Sequence, residues 1–391
     1  MNRNLWLLAL CQGLFLTNNV TFIAINGLVG LSLAPLGWMA TLPVMGYVVG
    51  GALSTGLVAR TQSRFGRRIS FQIGLGVALG SAGVAAWAVM HHQFWVLVAA
   101  TVVAGYYSAN GQLYRFAAAE LSLPSYREKA VSLVMAGGLI GAIAGPNLAA
   151  KSRALLDVPF AGAYIALGAV ALLAMVLMAF IEFPDNKTAH TAAAGGRTLG
   201  QIARQPVFMV ACASAALSYG VMNLLMAATP LAMQQCGLGF DDAAFVLQWH
   251  VIGMFAPGFF TGHLLKRFGT LPVMGVGVAL NLLCIVIALS GVDLHQFTIA
   301  LFLLGVGWNF LFTGSTTLSL SAYKPEEKDR AQAAINFSVF AVTALTSFAS
   351  GALVTTQGWA ILNWGSLVPV AMLAVALLWY ANWVKMQKAT I

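Results

Sequence analysis

Arg64-Phe65-Gly66-Arg67-Arg68 leading into Gly74-Leu75-Gly76-Val77-Ala78-Leu79, and Arg267-Phe268-Gly269 leading into Gly275-Val276-Gly277-Val278-Ala279-Leu280, are two renderings of one passage. In each, a short basic corner opens a glycine-rich apolar run. Each corner also follows the second long apolar run of its half of the chain. Position, order and composition together read as a duplicated unit rather than a chance likeness between glycine-rich helices.

On either side of these corners, clusters of charge, proline and glycine divide the chain into twelve apolar runs. They lie near residues 5–30, 38–59, 69–90, 94–115, 130–150, 160–183, 206–234, 243–265, 271–291, 296–321, 331–354 and 361–384. Each is long enough to cross a bilayer as a helix. Of the 391 residues 60% are hydrophobic and 8% charged, and the mean hydropathy is +0.84. An average soluble domain has about 45–50% and 25%. A water-soluble globule is excluded, and the expected fold is an all-α membrane protein of twelve transmembrane helices in two pseudo-symmetric six-helix bundles. Residues 5–15, after Arg3, could pass for a secretory leader, but the apolar run continues past a usual cleavage site and reads as the first span.

The formal net charge of +9 is explained by where the cations fall. With the N-terminus inside, the inner loops hold Arg60, Arg64, Arg67 and Arg68, then Arg127 and Lys129, then Lys187, Arg197 and Arg204. In the second half they hold Lys266 and Arg267, then Lys324, Lys328 and Arg330, then Lys385 and Lys388, while Lys151 and Arg153 alone fall outside. This bias predicts that both termini are cytoplasmic and removes nucleic acid as a partner, and the expected membrane is a bacterial-type inner one. The polar stretch 184–205, with Pro184, Asp185, Lys187 and Gly195-Gly196, reads as a cytoplasmic linker between bundles at 1–183 and 206–391. The four cysteines, Cys11, Cys212, Cys236 and Cys284, form no CxxC pair and no disulfide or zinc framework.

These features together resemble the major facilitator superfamily over the whole chain. Arg64, Gly66, Arg67 and Arg68 match the basic end of its signature loop between spans two and three. Ala59 stands where that signature has Gly and Ser63 where it has Asp, so the loop's own acid is missing. Gly141-Ala-Ile-Ala-Gly145-Pro146 in span five resembles the superfamily's GxxxGP element, common in exporters. The resemblance implies an alternating-access secondary transporter, a symporter or antiporter.

Every Asp and Glu can be assigned to a loop or a span end, so no deep carboxylate offers itself as a proton carrier. His250 alone among the histidines falls well inside a span. Span eight places it four residues before Met254, on one helical face, and span seven has Met222 and Met226 at the same spacing. If the turn between these spans centres near residues 237–239, Met226 and His250 lie at one depth and Met222 and Met254 one turn deeper. Two neighbouring antiparallel helices would then show Met and His side by side, and thioether with imidazole suits a soft metal, above all Cu(I). Cys236, at the outer mouth, could add a ligand. Pro230 and Pro257 each free a carbonyl one turn earlier and are expected hinges, with Gly145 and Pro146 a further one.

The same residues carry a narrower resemblance, to the CcoA-like branch of the superfamily. Copper importers of that branch imply Met222, Met226, His250 and Met254 as metal-contacting positions, although Ser214 and Ser218 stand where further cysteines belong in span seven. Other relatives in the branch are associated with riboflavin uptake. The organic alternative has its own residues within spans: Asn18, Asn19, Tyr106, Tyr107, Asn110, Tyr219, Asn223, Trp308 and Asn309, which offer stacking and amide hydrogen bonds. The sequence reading is thus copper import through a Met/His site, with riboflavin or another organic solute as the alternative. A drug exporter is a third transporter reading, and a copper sensor or chaperone a different class. Copper would be the substrate, and no prosthetic cofactor is expected. No Walker loop, Ser-His-Asp set or paired carboxylates suggest an enzyme. The expected unit is a monomer in the lipid bilayer.

Overall fold

The computed structural model describes residues 3–36, 39, 42–184 and 196–389. Among the described residues the regular structure is helical, with no strand. Nine helical segments among the described residues are long and apolar enough to cross a membrane. One of them, Leu42–Met90, is two spans joined at Gly66, where the backbone leaves the helical region. Two interrupted runs, Phe94–Gly111 with Tyr114–Glu120 and Phe240–Phe255 with Gly258–Phe268, complete the twelve. In chain order, span one is Arg3–Leu33, spans two and three share Leu42–Met90, and span four is the first interrupted run. Span five is Arg127–Ala136 with Gly138–Ser152, span six Ala161–Ala179, span seven Pro206–Gln235 and span eight the second interrupted run. Spans nine to twelve are Thr270–Ser290, Leu294–Ser319, Lys328–Thr356 and Gly358–Ala389.

The two basic corners have one geometry. Gly66 sits at φ 79°, ψ 174° and Gly269 at φ 86°, ψ 159°. This is a left-handed region that residues with a Cβ rarely enter, so glycine is what allows each helix to end and the next to begin at once. The Arg64 guanidinium stands 5.3 Å from the Phe65 ring centre, and Arg267 stands 5.3 Å from that of Phe268. The duplication visible in the letters is therefore repeated in backbone and side-chain geometry.

The chain divides into two compact units, Met1–Gly195 with Gln332–Phe340, and Gly196–Ala331 with Ala341–Ile391. The division falls within the 184–205 segment, of which residues 185–195, including Asp185, Lys187 and Gly195, lie outside the described residues. The remainder of that segment is not all loop: Thr198 and Gln201 cap each other's backbone amides and start a short helix, Leu199–Ala203.

In the first unit, spans two and three pack on spans four and six, and span one packs on span five. Phe22, Ile25, Tyr47, Leu97, Tyr164 and Leu167 fill the core beside a run of alanines in span three. In the second unit span ten is central, with spans seven, eight and nine around it, and span twelve covers seven and nine. The expected pairing of spans seven and eight is slight by comparison with that of eight and ten. The cause is close backbone approach: a Cβ on Gly253 would lie 2.6 Å from the Phe302 carbonyl, and one on Gly305 would lie 2.8 Å from the Met254 amide nitrogen. Small residues at such a crossing bring helices together where apolar burial cannot, since lipid is as apolar as leucine. Leu172, Val286 and Leu378 are exposed, as lipid-facing residues are.

Candidate functional site

The second unit gathers most of the sequence-derived residues. Pro257 has no amide, so the carbonyl of Gly253 loses its helical donor, and the hydrogen-bond ladder of span eight is interrupted between Phe255 and Gly258 while Ala256 and Pro257 keep helical dihedrals. The gap is held from span ten. Asn309 donates its amide to the Met254 carbonyl at 2.7 Å, and the single proton of the Thr261 hydroxyl is shared between Asn309 Oδ1 at 2.7 Å and the Pro257 carbonyl at 2.8 Å. Asn309 is completely buried. Its amide is thus committed to the helix break. By contrast, Pro146 and Pro230 lie inside continuous helices, so of the prolines put forward as hinges Pro257 alone marks an interruption. Gly145 packs against Val20, and its carbonyl accepts from Thr21 at 2.9 Å.

One turn before that break, His250 is fully buried and its Nδ1 lies 2.7 Å from the Leu301 carbonyl. A carbonyl can only accept, so in the neutral ring the proton sits on Nδ1 and the lone pair on Nε2. Nε2 has no hydrogen-bond partner among the described residues. This arrangement suits a metal-ligating imidazole, and equally one that accepts a hydrogen bond from a solute. The ring is anchored on span ten, not span seven. Met222 and Met254 are buried, and Met226 is half-buried against the core of the unit. Cys236 caps span seven and is exposed. Among the described residues no three His, Cys, Asp or Glu side chains cluster as metal ligands would.

Spans seven, eight and ten also share an aromatic cluster. Trp308 and Phe312, one turn apart on span ten, stack with centroids 4.9 Å apart. Tyr219 meets both edge-on, at 5.6 and 5.4 Å, and Phe255 meets Trp308 at 5.7 Å. The indole nitrogen of Trp308 is buried with no partner among the described residues. Asn223 is engaged elsewhere, donating to Ser347 at 2.9 Å and Thr346 at 3.1 Å.

In the first unit the organic-solute residues separate into two groups. Tyr106 and Asn110 join the network around the signature loop: the Tyr106 hydroxyl lies 2.7 Å from that of Thr61, and Asn110 Oδ1 accepts from Ser70 at 3.1 Å and Gln62 at 3.5 Å. Arg67, buried there, pairs with Glu120 at 2.6 Å and bonds Gln62 and Gln332. The carboxylate that Arg67 meets thus comes from the end of span four. Arg68 donates to the Ala179 carbonyl. Asn18 lines a cavity deeper in the unit, and Asn19 beside it is half-buried. Leu301, Thr261, Glu120 and Gln332 escaped the sequence reading because each acts across tens of residues of chain.

Two units of membrane-spanning helices, one of them enclosing a buried polar and aromatic site, define a transporter of small solutes. The Major Facilitator Superfamily model matches at residues 5–256 and again at 211–388, and the chain belongs to that superfamily. It is 36% identical over 378 residues to the riboflavin transporter RfnT of Brucella anthropi, across 96% of this chain and 95% of that one. It is 27% identical over 360 residues to YddS, an uncharacterised transporter of the same type from Bacillus subtilis, across 88% and 82%. Among solved structures, FucP in the outward conformation aligns with TM-score 0.77 and 14% identity over 96% of this chain and 97% of that one. A bacterial homologue of the iron transporter ferroportin aligns with TM-score 0.75 and 14% identity over 97% and 100%. At such identities the likeness is one of fold.

Proposed function

We propose that the protein carries riboflavin, or a similarly flat hydrogen-bonding solute, by alternating access in a bacterial inner membrane, with import as the direction. The observation that carries this reading is the Tyr219, Phe255, Trp308 and Phe312 cluster with its unpartnered indole N–H. A flat heteroaromatic ring is recognised by stacking and by a few placed donors and acceptors. Trp308 offers the donor and His250 Nε2 the acceptor. The similarity to a riboflavin transporter along nearly the whole chain supports it.

Copper import is the second reading, favoured by one feature, the His250 lone pair fixed on Nε2 by Leu301. One experiment separates the two: riboflavin and copper contents are measured in the same cells with and without the protein. Flavin accumulation that falls several-fold in Trp308→Phe, which keeps the ring and removes the N–H, supports the first reading. Copper accumulation that collapses in both His250→Ala and Met226→Leu, without change in flavin, supports the second and defeats the first. Met226→Leu keeps volume and apolarity, so only a thioether ligand should miss the sulfur.

A further inference from the structure

The first unit gathers cations from two helices on the end of a third. Arg3, which opens span one, donates to the Phe180 carbonyl at 3.4 Å, and Arg68, just past the Gly66 corner, donates to the Ala179 carbonyl. These are consecutive carbonyls at the end of span six. Span three is held to the same helix one turn deeper, where Gln72 donates to the Met175 carbonyl at 2.9 Å. A carbonyl takes one donor of a guanidinium, and the rest of each fork remains for a second acceptor. Both arginines are exposed, and so are Trp6, Ile69, Val176 and Phe180 beside them on the same three helices.

Helix capping alone does not account for Arg68. The duplicated corner of the second unit keeps Arg-Phe-Gly but continues with Thr270 and Leu271, where the first continues with Arg67 and Arg68. Arg67 turns inward to Glu120, whereas Arg68 stays outside. Counting Arg64 on the same corner, the patch sets Arg3, Arg64 and Arg68 against Glu182 among the described residues, an excess of positive charge. Two guanidiniums at the end of an apolar, tryptophan-bearing surface are complementary to a phosphate whose tails lie along that surface. A soluble phosphorylated molecule would gain nothing from the exposed apolar side chains. We propose that Arg3 and Arg68, over the end of span six, form a headgroup site for an anionic phospholipid. Its phosphate is held between the two guanidiniums, and its chains run beside Ile69 and Val176.

Native mass spectrometry of the full-length protein, released from detergent micelles holding equal amounts of phosphatidylglycerol and phosphatidylcholine, tests this. The two lipids share phosphate and chains, but choline cancels the charge of the second. The wild type is expected to retain phosphatidylglycerol in preference. Arg3→Gln and Arg68→Gln should each lower that preference about fivefold, the usual effect of one cation at a membrane surface. Either variant serves if the other does not fold. Arg267→Gln is the control, since it removes the same charge from the matching corner of the second unit and should leave the preference intact. An equal fall in Arg267→Gln would reduce the site to general charge, and no preference in the wild type would remove it; either result overturns the proposal. Inorganic phosphate in excess, at matched ionic strength, should leave phosphatidylglycerol bound. Its displacement would mark a free-anion site instead and would also overturn the proposal.

Discussion

Glu327 closes the turn before span eleven with its carboxylate fully covered, and Arg197, from the segment before span seven, grips it at 2.6 Å. The same carboxylate accepts from the backbone amides of Arg197 and Lys324, both at 2.9 Å. The guanidinium and these donors hold its pKa down, from 4.5 to about 2. A folded-state value below the unfolded one means the contact contributes fully above pH 4.5 and loses its contribution as pH falls toward 2. The unfolding midpoint of Glu327→Gln should therefore lie below that of the wild type at neutral pH, with the gap closing on acidification. A gap that stays constant down to the lowest pH tested would reject the role. Arg197 remains partly exposed, so solvent screening keeps the effect modest. Residue-scale pairings of this kind were not legible in the sequence. Ser63 stands where the signature loop has an acid, and nothing local could reveal that Arg67 would find its carboxylate at Glu120, 53 positions away.

Span eight shows what an element's own letters can and cannot tell. Pro257 announced the weak point, because a missing amide is a local fact. The staple across it was invisible, since Thr261 and Asn309 are 48 positions apart and meet only once spans eight and ten cross. The hydrogen-bond partner of His250, the Leu301 carbonyl, was out of reach for a related reason. Adjacency in sequence suggested span seven, whereas Gly253 and Gly305 draw span eight onto span ten. Asn309→Ala removes two buried bonds, and at about 0.6 kcal/mol for an average interhelical bond the loss should be of order 1–2 kcal/mol. Amide exchange at residues 254–258 should quicken in the same variant. Thr298→Val is the control, because that hydroxyl bonds the Leu294 carbonyl of its own helix at 2.7 Å. If both variants loosen residues 254–258 equally, the staple is not what holds the break.

At the scale of the whole molecule the apolar runs and their charged punctuation were fully readable, because a bilayer permits few answers. Twelve spans were expected and twelve are formed among the described residues, with interruptions at residues 112–113, 137 and 256–257. Orientation rests on the lysine and arginine bias. Reporter fusions after Asp157 and Asp293 should be active outside the cytoplasm, and fusions at Lys187 and the C-terminus inside it. An external Lys187 fusion would overturn the proposed topology. The matching Arg-Phe-Gly corners carry one more implication. A block with an even number of crossings returns the chain to the side it left, so a second copy joined to its end enters the same way up. An ancestral half-length protein could thus have met its own twin in the correct orientation, and gene fusion had only to tether what already fitted.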